Sequence, residues 1–375
     1  MADRAGRTLV LVVLLAGTLA VGCTDDADGA TPAPGTATTA GSPSSTVPPI
    51  DLPASSVAAP PGAVTQPAQP TTGPGGSQAA HADWEESSGG EGADAWFVFE
   101  PIDPRPASAP VAIFLHGYFE FAGYDQLHEL MRHTVRTGTI AIFPRWQTDV
   151  AAPCPGPVDI EPCLDSAVAG IRGALDFLRA DPGRVQPELD RTSYFGFSFG
   201  GIITVNLANR YQQLDLPRPR AVFLDDPHDG AITGDDEPAL DDDLGGIPAD
   251  VLLECHVSAD GVIAGVPGAS CNSLFPQLDH IPAANKALVL TRPDDHGQPP
   301  LGAGHGVCVA GEGEADAYDW GFCWKVWDAL RAAADEGVGP DHALADTPEH
   351  RSAGAWSDGT PIVPLEIARQ APITP

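Results

Sequence analysis

Gly196-Phe197-Ser198-Phe199-Gly200 is the string in this chain with the most specific chemistry. It follows a strand-like run at 192–197 and opens a stretch of helical spacing at 200–211. A tight strand-to-helix turn lifts its serine clear of the backbone, provided that the flanking residues are small. Ser198 is therefore the candidate nucleophile. A serine so used needs a base to take its proton and an acid to orient that base. Candidates for both lie after it in the chain. Two aspartates compete for the acid. Asp226, in Asp225-Asp226-Pro227-His228-Asp229-Gly230, directly follows the apolar run 221–224, and Asp260, in Ser258-Ala259-Asp260-Gly261, lies past the next one. Asp225 and Asp229 stand behind them, and an aspartate before Pro or Gly is also ordinary turn chemistry. Two histidines compete for the base: His296 in Asp294-Asp295-His296-Gly297, and His305 in Gly302-Ala303-Gly304-His305-Gly306.

These residues need a scaffold to converge. Continuous apolar runs such as 111–115 and 139–143 read as strands buried on both faces. Further short strands are expected at 96–99, 221–224, 251–253 and 287–290. Helical spacing appears at 124–136, 164–179, 200–211 and 318–334. Strands alternating with helices call for an α/β fold, a mostly parallel central sheet with helices on both faces. A single domain over 93–360 accounts for all of this. Residues 24–92 are rich in Pro, Ala, Thr, Ser and Gly with few large apolar residues, and the expectation there is a disordered tether. The proline-rich stretch 361–375 is expected to be an irregular tail.

The elbow around Ser198, together with Leu115-His116-Gly117-Tyr118 at the end of a buried strand, resembles the α/β-hydrolase fold, nearest to chlorophyllase-like and cutinase-like esterases and lipases. The resemblance spans about 96–335. It implies an oxyanion hole from the backbone N–H groups of Phe199 and Tyr118. It also implies a Ser-His-Asp triad that cleaves carboxylic esters through an acyl-enzyme, with no cofactor and no metal. Within it, Asp-Pro-x-Asp-Gly favours Asp226 as in the chlorophyllase-like group, while Asp260 holds the place used by cutinases. Gly-Ala-x-His favours His305, and strand spacing favours His296. His116 is expected to pack the loop rather than to catalyse. Trp146 and Phe119 are placed either in an acyl pocket or in the core. Two other readings share the scaffold: a non-catalytic envelope lipoprotein that binds a ligand, and a peptidase or acyltransferase on the same triad. A peptidase would cleave amide reporters as well as esters.

Address and partners come from the ends and the charge. Arg4 and Arg7 precede a twelve-residue apolar run at 9–20 that ends in Leu19-Ala20-Val21-Gly22-Cys23. The run is short for a membrane span and suits a signal peptide. Small residues before a cysteine resemble the lipobox of bacterial lipoproteins. That implies a signal at 1–23, lipid on Cys23, and an exported protein held on the outer face of the cell membrane. The formal charge is −32 over 375 residues. Such a surface repels phosphate backbones, so nucleic acid is an improbable partner. A monomer acting on an ester substrate is expected. The acidic strings Asp235-Asp236-Glu237 and Asp241-Asp242-Asp243 lack calcium-loop spacing and read as solvated loop. Apart from Cys23, six cysteines remain, an even number suited to disulfides in an exported chain. Pairing of nearest neighbours is expected: Cys154 with Cys163, Cys255 with Cys271, Cys308 with Cys323.

Overall fold

The residues just described lie on one sheet, whose strands split their side chains between two cores. The structure is a computed structural model. It describes residues 62–118, 120, 123–149, 152–154, 160–228, 240–261 and 269–374. Among them are nine strands: β1 (Asp83–Gly89), β2 (Trp96–Ile102), β3 (Ser108–Leu115), β4 (Ile140–Pro144), β5 (Gln186–Phe197), β6 (Pro219–Asp225), β7 (Leu252–Ser258), β8 (Lys286–Thr291) and β9 (Glu366–Ala368). Their order is β1-β2-β4-β3-β5-β6-β7-β8-β9. The stretch from β4 to β8 is parallel throughout, while β1 and β2 on one side and β9 on the other are antiparallel additions. The described helices are α1 (His128–Arg136), α2 (Glu161–Ala180), α3 (Phe199–Arg210), α4 (Cys271–Leu274), α5 (Trp324–Glu336) and α6 (Pro348–Arg351).

The period of two along a strand divides each apolar run. Val111, Ile113 and Leu115 join a core with α2 and α3, where Leu164, Ile171, Leu178, Ile202 and Leu207 also lie. Ala112 and Phe114 point the other way, into a core with Leu130 and Met131 of α1 and Val326, Trp327 and Leu330 of α5. Helices thus cover both faces, and the α/β fold class holds. Trp327 wedges between Phe114 and Phe195, at ring separations of 5.8 Å and 6.0 Å. Its indole N–H donates to Thr134 at 2.9 Å, so the ring is buried without an orphaned donor. The helix expected at 318–334 starts as a π-helical turn (Asp319–Cys323) and continues as α5, which stops at Gly337. Gly337 has φ of 72° and caps the preceding carbonyls. No described helix is long and apolar enough to cross a membrane.

Two expected boundaries are corrected. The tether does not run to 92. β1 pairs along its length with β2, and 62–82 is tied down by hydrogen bonds. The Val64 carbonyl accepts from Gln298, Gln66 accepts from Ala317, and the Gly75 N–H donates to Asp328. Composition misleads here because this stretch is held largely by hydrogen bonds, which need no run of large apolar side chains. β1 is an edge strand, half exposed, without the apolar alternation that marks one in sequence. Residues 361–375 likewise are not wholly irregular, since β9 pairs with β8. Residues 1–61, which hold the expected signal, Cys23 and the rest of the tether, lie outside the described residues.

The three expected disulfides are present: Cys154–Cys163, Cys255–Cys271 and Cys308–Cys323. Asp241 is not a free acidic loop residue. It pairs with Arg210, which also holds Glu161 at 2.8 Å. Asp235, Asp236 and Glu237 lie outside the described residues.

Candidate active site

Ser198 sits between the last residue of β5 and the first of α3, with φ of 54° and ψ of −124°. A positive φ is costly for a residue with a side chain and persists only where the surroundings enforce it. The enforcement is steric and local. A Cβ at Gly196 would come within 2.3 Å of Thr204 Oγ1, and one at Gly200 within 2.2 Å of the His116 carbonyl. Both positions therefore require glycine, and the second brings the 115–118 loop against the elbow. The Ser198 N–H donates to the Asp225 carbonyl at 3.0 Å, tying the elbow to the end of β6.

His305 joins the other two groups. Its Nε2 lies 2.9 Å from Ser198 Oγ and its Nδ1 lies 2.8 Å from Asp226 Oδ2. An ionised carboxylate only accepts, so Nδ1 carries the proton and Nε2 is left to accept from the serine hydroxyl. Asp226 is itself held at positive φ, 47°. Its N–H donates to the His256 carbonyl at 3.0 Å, and its Oδ1 accepts from the Ser258 N–H at 3.3 Å. The Phe197 ring lies 4.7 Å from the His305 ring and packs beside Gly306.

The competing residues are placed elsewhere. His296 bonds Asp358 at 2.9 Å instead of turning to the serine. Asp260 is exposed, and its backbone N–H rather than its carboxylate reaches the histidine loop, at the Ala303 carbonyl. The structure thus gives His305 to Asp226 and leaves both alternates out. Asp225 is turned away into the core, and Asp229 lies outside the described residues. Phe199 opens α3, where a backbone N–H has no carbonyl of its own helix to bond. Tyr118 packs edge-on against Phe199 at 5.5 Å. Trp146 is fully buried, stacked on His116 at 4.5 Å and near Phe199 at 5.6 Å, so it supports the loop from below and offers no surface to a ligand. Phe119 lies outside the described residues. His116 is a packing residue. Burial drives its pKa down to about 3, against the hydrogen bond to the Gly117 carbonyl, so it stays neutral.

Two features had no place in the sequence reading. Glu120 turns back to accept the Gly117 N–H at 3.0 Å. Burial pushes its pKa up to about 7, opposed by that hydrogen bond and by His305. A glutamate inside the otherwise apolar His-Gly-Tyr-Phe-Glu-Phe string was the available signal. The other is the pair Asp225 and His256, both fully buried and 2.6 Å apart. A polar residue at 256 within a buried strand was the signal for it. These two and Cys308 bring potential metal-ligand atoms within 4.8 Å of one another. Cys308 is bonded to Cys323, so it has no thiolate to give a metal.

No family model matches this chain, and no curated protein does. Among solved structures it is similar to esterase B from Lactobacillus rhamnosis, at 19% identity over 39% of this chain and 49% of that one, with a TM-score of 0.31. The same esterase inhibited by a tributyrin phosphonate is 18% identical over 40% of this chain and 51% of that one, again at 0.31. The chain spans about half the length of these structures. A likeness this partial bears on neither substrate nor mechanism.

Proposed function

We propose that the protein is a serine hydrolase of carboxylic esters, with Ser198 as nucleophile, His305 as general base and acid, and Asp226 as the residue that orients the histidine. The observation that carries this reading is the unbroken chain of hydrogen bonds from Asp226 through His305 to Ser198 Oγ. In the reaction, His305 Nε2 takes the serine proton as Oγ attacks the ester carbonyl. Asp226 stabilises the imidazolium through Nδ1–H. The backbone N–H groups of Phe199 and Tyr118 receive the oxyanion. His305 then gives its proton to the leaving alkoxide, an acyl-Ser198 remains, and water repeats the steps to free the acid. We further propose, on the Leu19–Cys23 string, that the protein is exported and lipid-anchored through Cys23, and that it acts as a monomer.

The test is hydrolysis of p-nitrophenyl esters of increasing acyl length by wild type and variants. Ser198→Ala and His305→Ala are each expected to lower kcat by about 10⁶-fold, and Asp226→Asn by about 10⁴-fold. His296→Ala and Asp260→Asn should leave kcat/KM unchanged. Turnover that survives Ser198→Ala would remove the reading. An amide series run beside the esters separates an esterase from a peptidase.

A further inference from the structure

The Asp225–His256 pair sits directly beneath the proposed triad. Asp225 is the last residue of β6 and stands in register with His256 on β7. Their side chains lie on the α5 side of the sheet, with the His256 ring 4.7 Å from Phe322. Asp225 Oδ1 bonds His256 Nδ1 at 2.6 Å, and His256 Nε2 bonds Thr291 Oγ1, at the end of β8, at 2.8 Å. The ends of three neighbouring strands are thereby joined through side chains.

Two members of the triad are bound to the backbone of this pair, and the loop that carries the third is bound to the Asp225 side chain. The Ser198 N–H donates to the Asp225 carbonyl, and the Asp226 N–H donates to the His256 carbonyl, each at 3.0 Å. Asp225 Oδ2 accepts the N–H of Cys308, three residues beyond His305, at 3.3 Å. Burying a carboxylate and an imidazole is expensive in free energy even when they are paired. Well-packed apolar residues would stabilise the sheet as well or better, so fold stability alone gives a poor reason for the pair. A fixed arrangement is what a hydrogen-bonded network adds over an oily core. Two residues at strained positive φ, Ser198 and Asp226, flank or adjoin the pair, and such backbone persists only where neighbours over-determine it.

We infer that Asp225 and His256 form a positioning pair that locks the His305 loop, through Cys308, in register with Ser198 and Asp226. The inference rests on the hydrolase reading for its consequence in turnover, though not for its geometry. Neither residue touches substrate. Their effect should fall on kcat, because a small misplacement of reacting groups is costly, with KM unchanged.

The experiment uses the intact protein. His256→Phe keeps a ring against Phe322 and removes both hydrogen bonds, and Asp225→Asn removes the charge. Each is expected to lower kcat by about 10²-fold at constant KM. His256→Gln, which can donate to Asp225 and accept from Thr291, should restore part of the loss. Thr291→Val is the mildest change, and it decides the matter if the others fail to fold. It should lower kcat several-fold while Thr291→Ser does not. A crystal structure of each folded variant gives a second readout that needs no turnover, the separation of His305 Nε2 from Ser198 Oγ. Widening past the reach of a hydrogen bond, about 3.2 Å, supports the positioning role. A separation still at 2.9 Å with wild-type kcat overturns it. If wild type shows no Ser198-dependent turnover, the hydrolase reading fails, and the separation alone still decides whether the pair positions His305.

Discussion

Glu120 shows how much a single side chain near the elbow is asked to do. Its carboxylate braces the Gly117 N–H in the loop that precedes the proposed oxyanion donor Tyr118. Burial raises its pKa from 4.5 to about 7, so the folded protein holds this proton more tightly than the unfolded chain does. Stability from this group is therefore full below about 4.5 and is lost as pH rises through about 7. The loss above that point is about 3 kcal/mol at 1.36 kcal/mol per unit. Glu120→Gln keeps an acceptor for Gly117 and has no proton to lose. The variant should gain stability over wild type between pH 5 and pH 8, by about that amount, in urea unfolding at the two pH values. A difference that does not change with pH would rule out a buried, titrating Glu120. Ser198 was legible in the sequence because small residues at 196 and 200 are a steric requirement of the turn itself. The choice between Asp226 and Asp260, or between His305 and His296, was not. Each lies on a loop after a strand, and only the path of that loop decides which carboxylate meets which ring.

Loops that carry catalytic residues need elements to hold them. Cys308, three residues past His305, is bonded to Cys323 at the head of α5. Closing a loop of 15 residues is worth about 3 kcal/mol on chain entropy. Replacing both cysteines by Ala should lower unfolding free energy by about that much. It should also reduce kcat, because the histidine loop loses its tie to α5. A variant of full activity and undiminished stability would show the bond to be dispensable. Trp327 is the keystone of the α5 face, and Trp327→Ala should cost about 3–5 kcal/mol through the cavity it leaves. Thermal unfolding checks this, and a cost below about 1 kcal/mol would mean that the core is not organised around that ring. The central strands could be read in sequence since burial on both faces leaves a continuous apolar run. β1 and β9 could not, because edge strands of three to seven residues carry no such run. Nor could the docking of 62–82, where Gln66 and Gly75 bond residues more than 200 positions away along the chain.

The charge of −32 belongs to the chain as a unit. Self-repulsion on that surface destabilises the compact state, and added salt screens it over about 10 Å at 0.1 M. The melting temperature should therefore rise when NaCl is raised from low to physiological levels, and a fall would mean that attractive pairs such as Arg210 with Asp241 and Glu161 dominate. The same charge argues against electrostatic adhesion to anionic lipid, which leaves the proposed lipid on Cys23 as the tie to a membrane. Cys23→Ala should release the protein to the soluble fraction of the producing cells, and unchanged membrane fractionation would dispose of the anchor. The central claim is that Asp226 and His305 activate Ser198, and its most direct measurement is labelling of the intact protein by a fluorophosphonate, read by mass. One label per chain on the peptide containing Ser198, formed at least 10²-fold more slowly in His305→Ala and Asp226→Asn, is the outcome predicted from the hydrogen-bonded chain. No label on folded wild type, or a label on Ser198 that forms equally fast without His305, would contradict it.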